Sequence, residues 1–318
     1  MYRKNKIGIA VPAHNEEELI GDTLKTIPDY VDRIYVCDDT SIDRTSEIVK
    51  EFMKKDERIT LLRHEKNTGV GGAIIDCHKK GIEDGMDIMA VMAGDNQMDP
   101  KELPKLLDPI IDGNADYAKG NRFYWWEALK GMSKWRVFGN SMLTFLNKIA
   151  SGYWHISDPQ NGYTAISIKV LTRLPLDEIY QGYLFENDML VKLNAYDQRV
   201  IDVPIPSRYG KEKSKIRYGK FIVEGLWILF KDFLWRMKIK YIVRSFHPLL
   251  LFYLFGVIFM SLGILAVIWS LYMKFFQNQL LFERITISLI VFIAGIQFIF
   301  FAMYFDMAEN RRIHQQRD

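Results

Sequence analysis

Residues 87–100, DIMAVMAGDNQMDP, begin as an apolar run and end in acids, amides and a proline. A short apolar run that stops at polar residues predicts a strand buried on both faces. Asp95 follows the run directly, so it is expected at the carboxyl end of that strand. Asp99 precedes Pro100, and this order predicts that Asp99 caps a helix starting near Pro100.

The same alternation of strand and helix runs through residues 1–120. The β-rich runs are KIGIAVP, DRIYVCDD, RITLLRH, DIMAVMAG and ADYAKG. Helices are predicted to start near Glu16, after Ser41 or Asp43, after the GVGGA turn, and near Pro100. This alternation predicts an α/β domain with a mostly parallel sheet. Ligands of such sheets bind at the carboxyl ends of the strands.

Residues 121–206 are less regular. They combine the aromatic-rich FYWWEALKGMSKWRVFGN, a polar loop DPQNGYTAIS, a helix around FENDMLVKLNAY and a strand RVIDVPIP. We interpret them as the second half of the same domain, the half expected to hold a transferred group or its acceptor.

Residues 217–244 alternate apolar and basic side chains at helical spacing. The apolar positions are Val223, Leu226, Trp227, Phe230, Leu234, Met237 and Tyr241, and the basic ones are Lys231, Arg236, Lys238, Lys240 and Arg244. A basic amphipathic helix with tryptophan at its edge is typical of a membrane surface. A core helix with a solvated face is the alternative.

Residues 248–273 and 285–305 are each long and apolar enough to span the roughly 30 Å hydrocarbon core of a membrane. Basic residues concentrate before the first run and in the tail, whereas the connection carries only Lys274 and Arg284. The positive-inside rule therefore predicts that both termini are cytosolic. A soluble two-helix hairpin is the alternative.

Composition argues against several classes of protein. A net charge of +3 is too small to indicate nucleic-acid binding. The two cysteines, Cys37 and Cys77, fit neither a disulfide framework nor a zinc site, which suits a reducing, cytosolic compartment. The polar MYRKNK leads directly into a strand, so no secretory signal is expected.

The segment GVGGAI at residues 69–74 invites a dinucleotide-binding interpretation. However, Ile74 occupies the position of the third glycine, and the segment lies in the third βα unit rather than the first. The sequence instead predicts a glycine-rich turn that lets the following helix pack close to the sheet.

Acids at the predicted sheet edge indicate a metal or an anionic ligand. Asp95 is the candidate for holding a hard cation together with phosphate oxygens, and Gln97 could add an amide oxygen or a water-mediated contact. Of Asp38 and Asp39, one is expected to cap the next helix and the other to contact a base or ribose.

VPAHNEEELI, DDTSIDRT, NTGVGGA and GDNQMDP, in this order and spacing, resemble the family 2 inverting glycosyltransferases of the Rossmann-like A-type fold. GNRF, RYGKEKSKI and a C-terminal membrane hairpin extend the resemblance to polyprenyl- or dolichyl-phosphate sugar synthases. The resemblance covers nearly all of residues 1–244.

The resemblance implies a nucleotide site at the sheet edge. The residues expected to border the nucleotide are Pro12, His14, Glu16, Asp39, Gly94 and Asp95. Relatives often carry tyrosine at the position of His14. The expected donor is a UDP-sugar rather than GDP-mannose. The usual Asp-x-Asp metal motif falls on Ala93 and Asp95, so Mg²⁺ or Mn²⁺ would rest on Asp95, Gln97 and the diphosphate.

The resemblance also implies phosphate, sugar and acceptor contacts. The residues expected to bind phosphate are Arg122, Arg136, Arg208, Lys211, Lys213, Ser214 and Lys215, those from 208 onward in a flexible loop that closes over the substrates. A solvated basic face attracted to anionic lipid is the alternative for this loop. Asp158 and Asn161 would contact the sugar. Asp188 lies where other members place a base and would orient the acceptor or balance charge.

The predicted function is metal-dependent transfer of one sugar from a nucleotide-diphosphate sugar to polyprenyl (dolichyl) phosphate, with Asp95, Arg122 and Asp188 as catalytic residues. The predicted domains are a cytosolic catalytic domain at 1–212, an acceptor loop and juxtamembrane helices at 213–245, two transmembrane helices within 246–306, and a cytosolic tail at 307–318. The bilayer and a second copy of the chain are the expected partners.

Two alternatives stay open, a transferase acting on a lipid hydroxyl and a non-catalytic nucleotide-binding membrane scaffold. A processive polysaccharide synthase is disfavoured, because the sequence lacks the Gln-x-x-Arg-Trp motif and further spans.

Overall fold

A computed structural model describes residues 1–124, 134–206, 218–277 and 282–315. The chain divides into two compact units, Met1–Phe233 and Leu234–Asp318.

A seven-stranded sheet forms the centre of the first unit. Its strands are β1 Ile7–Ala13, β2 Arg33–Asp38, β3 Ile59–Arg63, β4 Ile88–Val91, β5 Tyr117–Asn121, β6 Thr164–Ser167 and β7 Val200–Pro204. They lie in the order β3-β2-β1-β4-β6-β5-β7. Only β6 runs antiparallel to its neighbours, β4 and β5. The predicted α/β class with a mostly parallel sheet is therefore confirmed.

Strand β6 is the strand that the sequence did not predict. It lies inside DPQNGYTAIS, which we interpreted as a loop because polar and glycine residues precede it. The six other strands were predicted, with ends shifted by at most three residues.

Helices pack on both faces of the sheet. In the first unit they are α1 Ile20–Thr26, α2 Thr45–Met53, α3 Val70–Glu83, α4 Leu103–Ile111, α5 Lys134–Ser151, α6 Ile168–Leu171 and α7 Phe185–Ala195, followed by α8 Tyr218–Lys238, which continues into the second unit. Because strand side chains alternate, Val11 packs in the core with Leu103 of α4 while neighbouring Ala10 packs in the core with Ile74 of α3.

Two of the predicted helix caps are present. Asp43 Oδ1 accepts a hydrogen bond from the Thr45 amide at 3.0 Å, where α2 begins. Asp99 Oδ1 accepts one from the Lys101 amide at 3.0 Å, where the 3-10 turn Pro100–Glu102 leads into α4. The prediction that Asp99 starts a helix is confirmed.

The glycine-rich segment is not a turn that precedes α3, as the sequence suggested, but its first helical turn. The amides of Gly71 and Gly72 donate to the Gln181 carbonyl at 2.8 and 3.2 Å. A Cβ at Gly71 would lie 2.8 Å from the Tyr180 carbonyl oxygen, so glycine is needed for this approach. These glycines therefore pack against residues 180–185, while α3 itself packs on the sheet as predicted, with Ile74 in the same core as Ala10 of β1 and Cys37 of β2.

In the second unit, two long helices, α9 Leu249–Gln277 and α10 Phe282–Gln315, pack against each other. Small residues recur every seven positions on the buried side of each helix: Gly256, Gly263 and Ser270 on α9, and Ser288, Gly295 and Ala302 on α10. A Cβ at Gly263 would lie 2.7 Å from the backbone of Phe292. Close approach of small residues is how apolar helices associate in a membrane.

The basic residues of 217–244 are not all on an outer face, as the amphipathic pattern predicted. Arg236 is fully buried and Lys240 is 4% exposed, whereas Lys231, Lys238 and Arg244 are exposed. Arg236 pairs with Asp306, and Lys240 Nζ donates to Asn310 Oδ1 at 3.0 Å. Buried polar groups require such partners, and both partners lie on α10, far along the chain.

Candidate active site

The carboxyl ends of β1, β2 and β4 meet at one edge of the sheet. The Asp39 amide donates to the Ala13 carbonyl at 2.9 Å, and the Gly94 amide donates to the Pro12 carbonyl at 3.1 Å. The structure thus brings together Pro12, Asp39 and Gly94, which the sequence assigned to one nucleotide site.

Asp39 fastens the loop between β3 and α3. Its carboxylate accepts hydrogen bonds from the amides of Thr68 and Gly69, each at 2.8 Å, and His64 Nδ1 lies 2.8 Å from Oδ1. Burial raises the pKa of Asp39, but these bonds outweigh burial and hold the pKa below its ordinary value. A contact between Asp39 and a ligand stays a prediction. His64 ends the third β-rich run, where a single histidine gives no sequence signal of this role.

Asp38 serves the backbone and α2. Its carboxylate accepts hydrogen bonds from the Ser41 amide at 2.8 Å and from the Ser46 hydroxyl. Asp38 therefore holds the turn before α2, whereas the cap of that helix is Asp43 and not, as expected, Asp38 or Asp39.

His14 and Glu16 follow β1 at the same edge. His14 Nδ1 lies 2.6 Å from the Asp39 carbonyl oxygen, and His14 is exposed. The Glu16 amide donates to Thr45 Oγ1 at 2.9 Å. A contact of either residue with a nucleotide stays a prediction.

Asp95 lies in a tight loop after β4. Its Oδ1 accepts the Gln97 amide at 3.0 Å, and the Gly94 carbonyl accepts the Thr23 hydroxyl at 3.0 Å. Asn96 between them has a φ of 57° and a buried side-chain oxygen without a hydrogen-bond partner. Burial raises the pKa of Asp95. Asp95, Asn96 and Gln97 therefore place three side chains with oxygen atoms, which could bind a cation, at successive positions of this loop.

Arg122 and Asp158 form a second group beyond β5. Arg122 Nε and Nη2 donate to the two carboxylate oxygens of Asp158 at 2.8 and 3.0 Å, and the Arg122 amide adds a bond at 3.1 Å. Asp158 is 1% exposed and Arg122 is 41% exposed. A bidentate fork of this kind fixes the guanidinium while leaving part of it accessible. The predicted phosphate and sugar residues are thus paired with each other.

Three charged residues that the sequence did not single out lie near this pair. Lys119 on β5 is fully buried, Glu186 at the start of α7 is 9% exposed, and Asp202 on β7 is largely buried. Lys119 Nζ donates to the carbonyl of Asn161, whose side-chain Oδ1 accepts the Tyr163 amide at 3.1 Å. Lysine and aspartate inside β-rich runs gave no signal that distinguishes them from surface residues.

Glu186 and Asp188 face different surroundings, although both lie in the first turn of α7. Burial raises the pKa of Glu186. The charges of Lys119 and Arg122 lower this pKa, and the charge of Asp158 raises it. Asp188 instead accepts the Tyr180 amide at 2.7 Å and pairs with Lys192 at 3.0 Å. The acid nearer the Arg122 pair is therefore Glu186, and a role for Asp188 at the acceptor stays a prediction.

The two groups adjoin through Met98 and Gly162. The Ala93 amide donates to Met98 Sδ at 3.2 Å, and a Cβ at Gly162 would lie 3.4 Å from Met98 Cε and 3.2 Å from Glu186 Oε1. The loop of Asp95 and the surroundings of Arg122 thus form one continuous region.

Several predicted residues lie outside the described part of the chain. They are the side chain of Arg136, and all of Arg208, Lys211, Lys213, Ser214 and Lys215.

A profile described as "Glycosyl transferase family 2" matches residues 8–174. The chain belongs to this family. This glycosyltransferase is 29% identical over 244 residues to the UDP-N-acetylglucosamine--dolichyl-phosphate N-acetylglucosaminyltransferase of Methanococcus voltae, covering 73% of the chain and 96% of that relative. It is 28% identical over 245 residues to the dolichol-phosphate mannosyltransferase of Pyrococcus furiosus, covering 75% and 67%.

Among solved structures, the glycosyltransferase resembles glucosyl-3-phosphoglycerate synthase of Mycobacterium tuberculosis. The complex of that enzyme with Mn²⁺, UDP-glucose and phosphoglyceric acid has a TM-score of 0.55 and 20% sequence identity, covering 74% of this chain and 81% of the other. At this identity the likeness establishes the shared fold.

The buried carboxyl of Asp232 makes the stability of the first unit sensitive to pH. Burial, followed by the charge of Asp188, raises the pKa of Asp232 to about 8. Lys192 and Lys231 are the nearby cations. Since the folded pKa exceeds the ordinary 3.8, the stabilisation is complete below about pH 4 and is lost as pH rises toward 8.

We expect Asp232→Asn to flatten this dependence, because an amide stays neutral throughout this pH range. For the wild type, the free energy of unfolding should decrease by at most about 1.4 kcal/mol per pH unit between pH 5 and 8. Melting temperatures measured over this range should therefore fall as the pH rises. Glu224→Gln, an exposed carboxyl-to-amide change on the same helix, is the control and should keep the wild-type slope. Equal slopes for wild type and Asp232→Asn would show that Asp232 is not the source of the pH dependence.

Proposed function

We propose that this enzyme moves one sugar from a nucleotide-diphosphate sugar to polyprenyl (dolichyl) phosphate, with inversion at the anomeric carbon. The observation that carries the lipid acceptor comes from the residues that the structure describes: two helices, Leu249–Gln277 and Phe282–Arg312, are apolar enough to cross a membrane, and only 11% and 17% of an 18-residue apolar stretch in each is buried. A core helix of a soluble protein would be buried instead. The names of the dolichyl-phosphate relatives support the same acceptor.

In this proposal the nucleotide lies along the edge formed by Pro12, Gly94 and Asp39, with His14 and Glu16 at its border. A uridine nucleotide is preferred over GDP-mannose, and the UDP donor named for the Methanococcus voltae relative supports that preference.

Asp95 and Gln97 suit Mg²⁺ or Mn²⁺ when the diphosphate supplies further oxygens. Within the described ranges, no group of three or more His, Cys, Asp or Glu side chains could hold a metal by itself. Mg²⁺ commonly binds through one or two carboxylates together with substrate phosphates, which matches the single acid left by Ala93. A metal held there would neutralise charge on the departing diphosphate.

The acceptor phosphate serves as its own nucleophile. Its second pKa is about 6, so it is largely dianionic at neutral pH. One of its oxygens attacks the anomeric carbon from the face opposite the nucleotide and forms a C–O bond. The bond from that carbon to the diphosphate breaks, the diphosphate leaves with the electron pair, and the product is a β-linked lipid-phosphate sugar. No proton has to be removed by the protein.

Arg122 is placed to contact one of these phosphates. Its guanidinium keeps part of its surface accessible beside Asp158, and a guanidinium can donate to a carboxylate and a phosphate at once. Arg136, Arg208, Lys211, Lys213, Ser214 and Lys215 are proposed to add phosphate contacts.

We place the catalytic residues 1–212 in the cytosol, with residues 213–245 at the membrane surface and two spans within 246–306. In α8 the side chains of Leu226, Trp227 and Phe230 are 47%, 57% and 53% exposed, while Asp232 is buried. A helix that exposes apolar residues and buries a charged one is suited to contact with lipid or a second copy of the chain.

A transferase acting on a lipid hydroxyl is the second candidate, and Glu186 is the observation that favours it. A hydroxyl acceptor needs a base, and a buried carboxyl with a raised pKa beside the Arg122 pair could supply one.

Labelled nucleotide sugars, tested with purified enzyme and Mg²⁺, separate these candidates. Transfer is expected with polyprenyl phosphate and not with diacylglycerol, and release of the nucleoside diphosphate is expected only when the lipid phosphate is present. Glu186→Gln should retain most activity if the phosphate is the nucleophile. Transfer to diacylglycerol that Glu186→Gln abolishes would favour the hydroxyl acceptor, and binding without transfer to any acceptor would favour a scaffold.

A further inference from the structure

Lys119 and Asp202 face the same loop from neighbouring strands. They are register partners in the parallel pair β5 and β7. Asp202 Oδ2 accepts the Ser157 amide at 2.7 Å, at one end of the loop Ser157–Asn161. Lys119 Nζ donates to the Asn161 carbonyl at the other end. The loop is therefore held at both ends by side chains of adjacent strand positions.

This loop carries Asp158, which determines the position of Arg122. Asp158 is nearly inaccessible and accepts three hydrogen bonds from Arg122, one from the amide and two from the guanidinium. A shift of the loop would move Asp158, and the guanidinium would move with it.

The charge of Lys119 is costly and so needs an explanation. Its side chain is fully buried, and among the described residues no carboxylate lies within ion-pair distance. An ammonium group buried without a carboxylate at ion-pair distance is energetically costly, even when a carbonyl accepts one of its hydrogen bonds. The nearby carboxylates of Glu186, Asp158 and Asp202 offset part of this cost, and burial lowers the pKa of Lys119 to about 8. Such a cost is tolerated more often at functional sites than in an ordinary strand.

We propose that Lys119 and Asp202 are positioning residues, which hold the loop Ser157–Asn161 and thereby fix the guanidinium of Arg122. That Arg122 meets a substrate phosphate rests on the proposed function. The holding of the loop does not depend on it.

Hydrogen exchange on the full-length protein tests the loop directly. Lys119→Met is expected to raise exchange in residues 157–163 about tenfold. Lys148→Met is the matched control, because Lys148 Nζ also donates to a backbone carbonyl, that of Trp154, at 2.7 Å. It should leave residues 157–163 as in the wild type. Unchanged exchange in Lys119→Met, or an equal rise in the control, would overturn the proposal.

A double-mutant cycle with Arg122→Met tests the link to Arg122. In the wild-type background, we expect Lys119→Met to lower kcat/KM by about 10- to 100-fold. In the Arg122→Met background it should have little further effect, since the effects of coupled residues are not additive. A purely structural role would cost the same in both backgrounds and would refute the link. If Lys119→Met fails to fold, Asp202→Asn, which keeps an acceptor for Ser157, replaces it in both tests.

The same cycle is measured by affinity for pyrophosphate, which needs no turnover. If the wild type transfers no sugar to any acceptor, the proposed function fails, while exchange and pyrophosphate affinity still decide the positioning role. Equal losses of affinity in both backgrounds, or none in the wild type, would overturn that role.

Discussion

Asp95→Asn is expected to reduce sugar transfer about 100- to 1,000-fold, the usual cost of removing one electrostatic contact from a transition state. The substitution removes the only acid that the Asp-x-Asp position retains, because Ala93 supplies none. Asparagine keeps the size of the side chain and can still accept the Gln97 amide, so the loop should stay folded. Initial rates at saturating donor, across a series of Mg²⁺ and Mn²⁺ concentrations, measure the effect.

Asp99→Asn is the matched control for Asp95→Asn. Asp99 lies in the same loop, but its carboxylate caps the turn that leads into α4, a role that asparagine also performs well. Near wild-type rates are expected for this control. If Asp95→Asn transferred sugar as fast as Asp99→Asn, Asp95 would not act on the diphosphate or its metal.

The fold of the first unit could be predicted because its signals are local. Apolar runs such as IGIAVPA, and the caps Asp43 and Asp99, each specify a strand or a helix start within a few residues. Strand β6 was not predicted, because its four residues are stabilised as a strand by pairing with β4 and β5, which are distant in sequence. Pairing across the sheet overrides weak local preference.

The site was predictable only in part, for the same reason. Pro12, Asp39 and Gly94 follow predicted strands, so the parallel sheet alone brings them to one edge. Lys119 and Asp202 become neighbours through the register of β5 with β7, and no local pattern encodes that register. Arg122 and Asp158 were both selected, but as contacts for different substrate groups and not as a pair.

Arg236→Met is expected to destabilise the second unit by about 3–5 kcal/mol, because it leaves the Asp306 carboxylate buried without its partner. Arg236 is fully buried and Asp306 is 1% exposed. Their two hydrogen bonds, Nη1 to Oδ1 at 2.8 Å and Nη2 to Oδ2 at 2.9 Å, form a bidentate pair. The Tyr241 hydroxyl also donates to Asp306, so several groups depend on one carboxylate. The expected readout of this destabilisation is a lower midpoint temperature of thermal aggregation in detergent.

Two further variants separate the ion pair from general effects of the substitution. Lys238→Met makes a similar change two residues along, at an exposed position, and should shift the midpoint little. Arg236→Met combined with Asp306→Leu removes both charges and should recover much of the stability, since replacing a whole buried pair by apolar residues is often neutral. A double variant as unstable as Arg236→Met alone would show that the loss came from packing around Arg236 and not from an unpaired carboxylate.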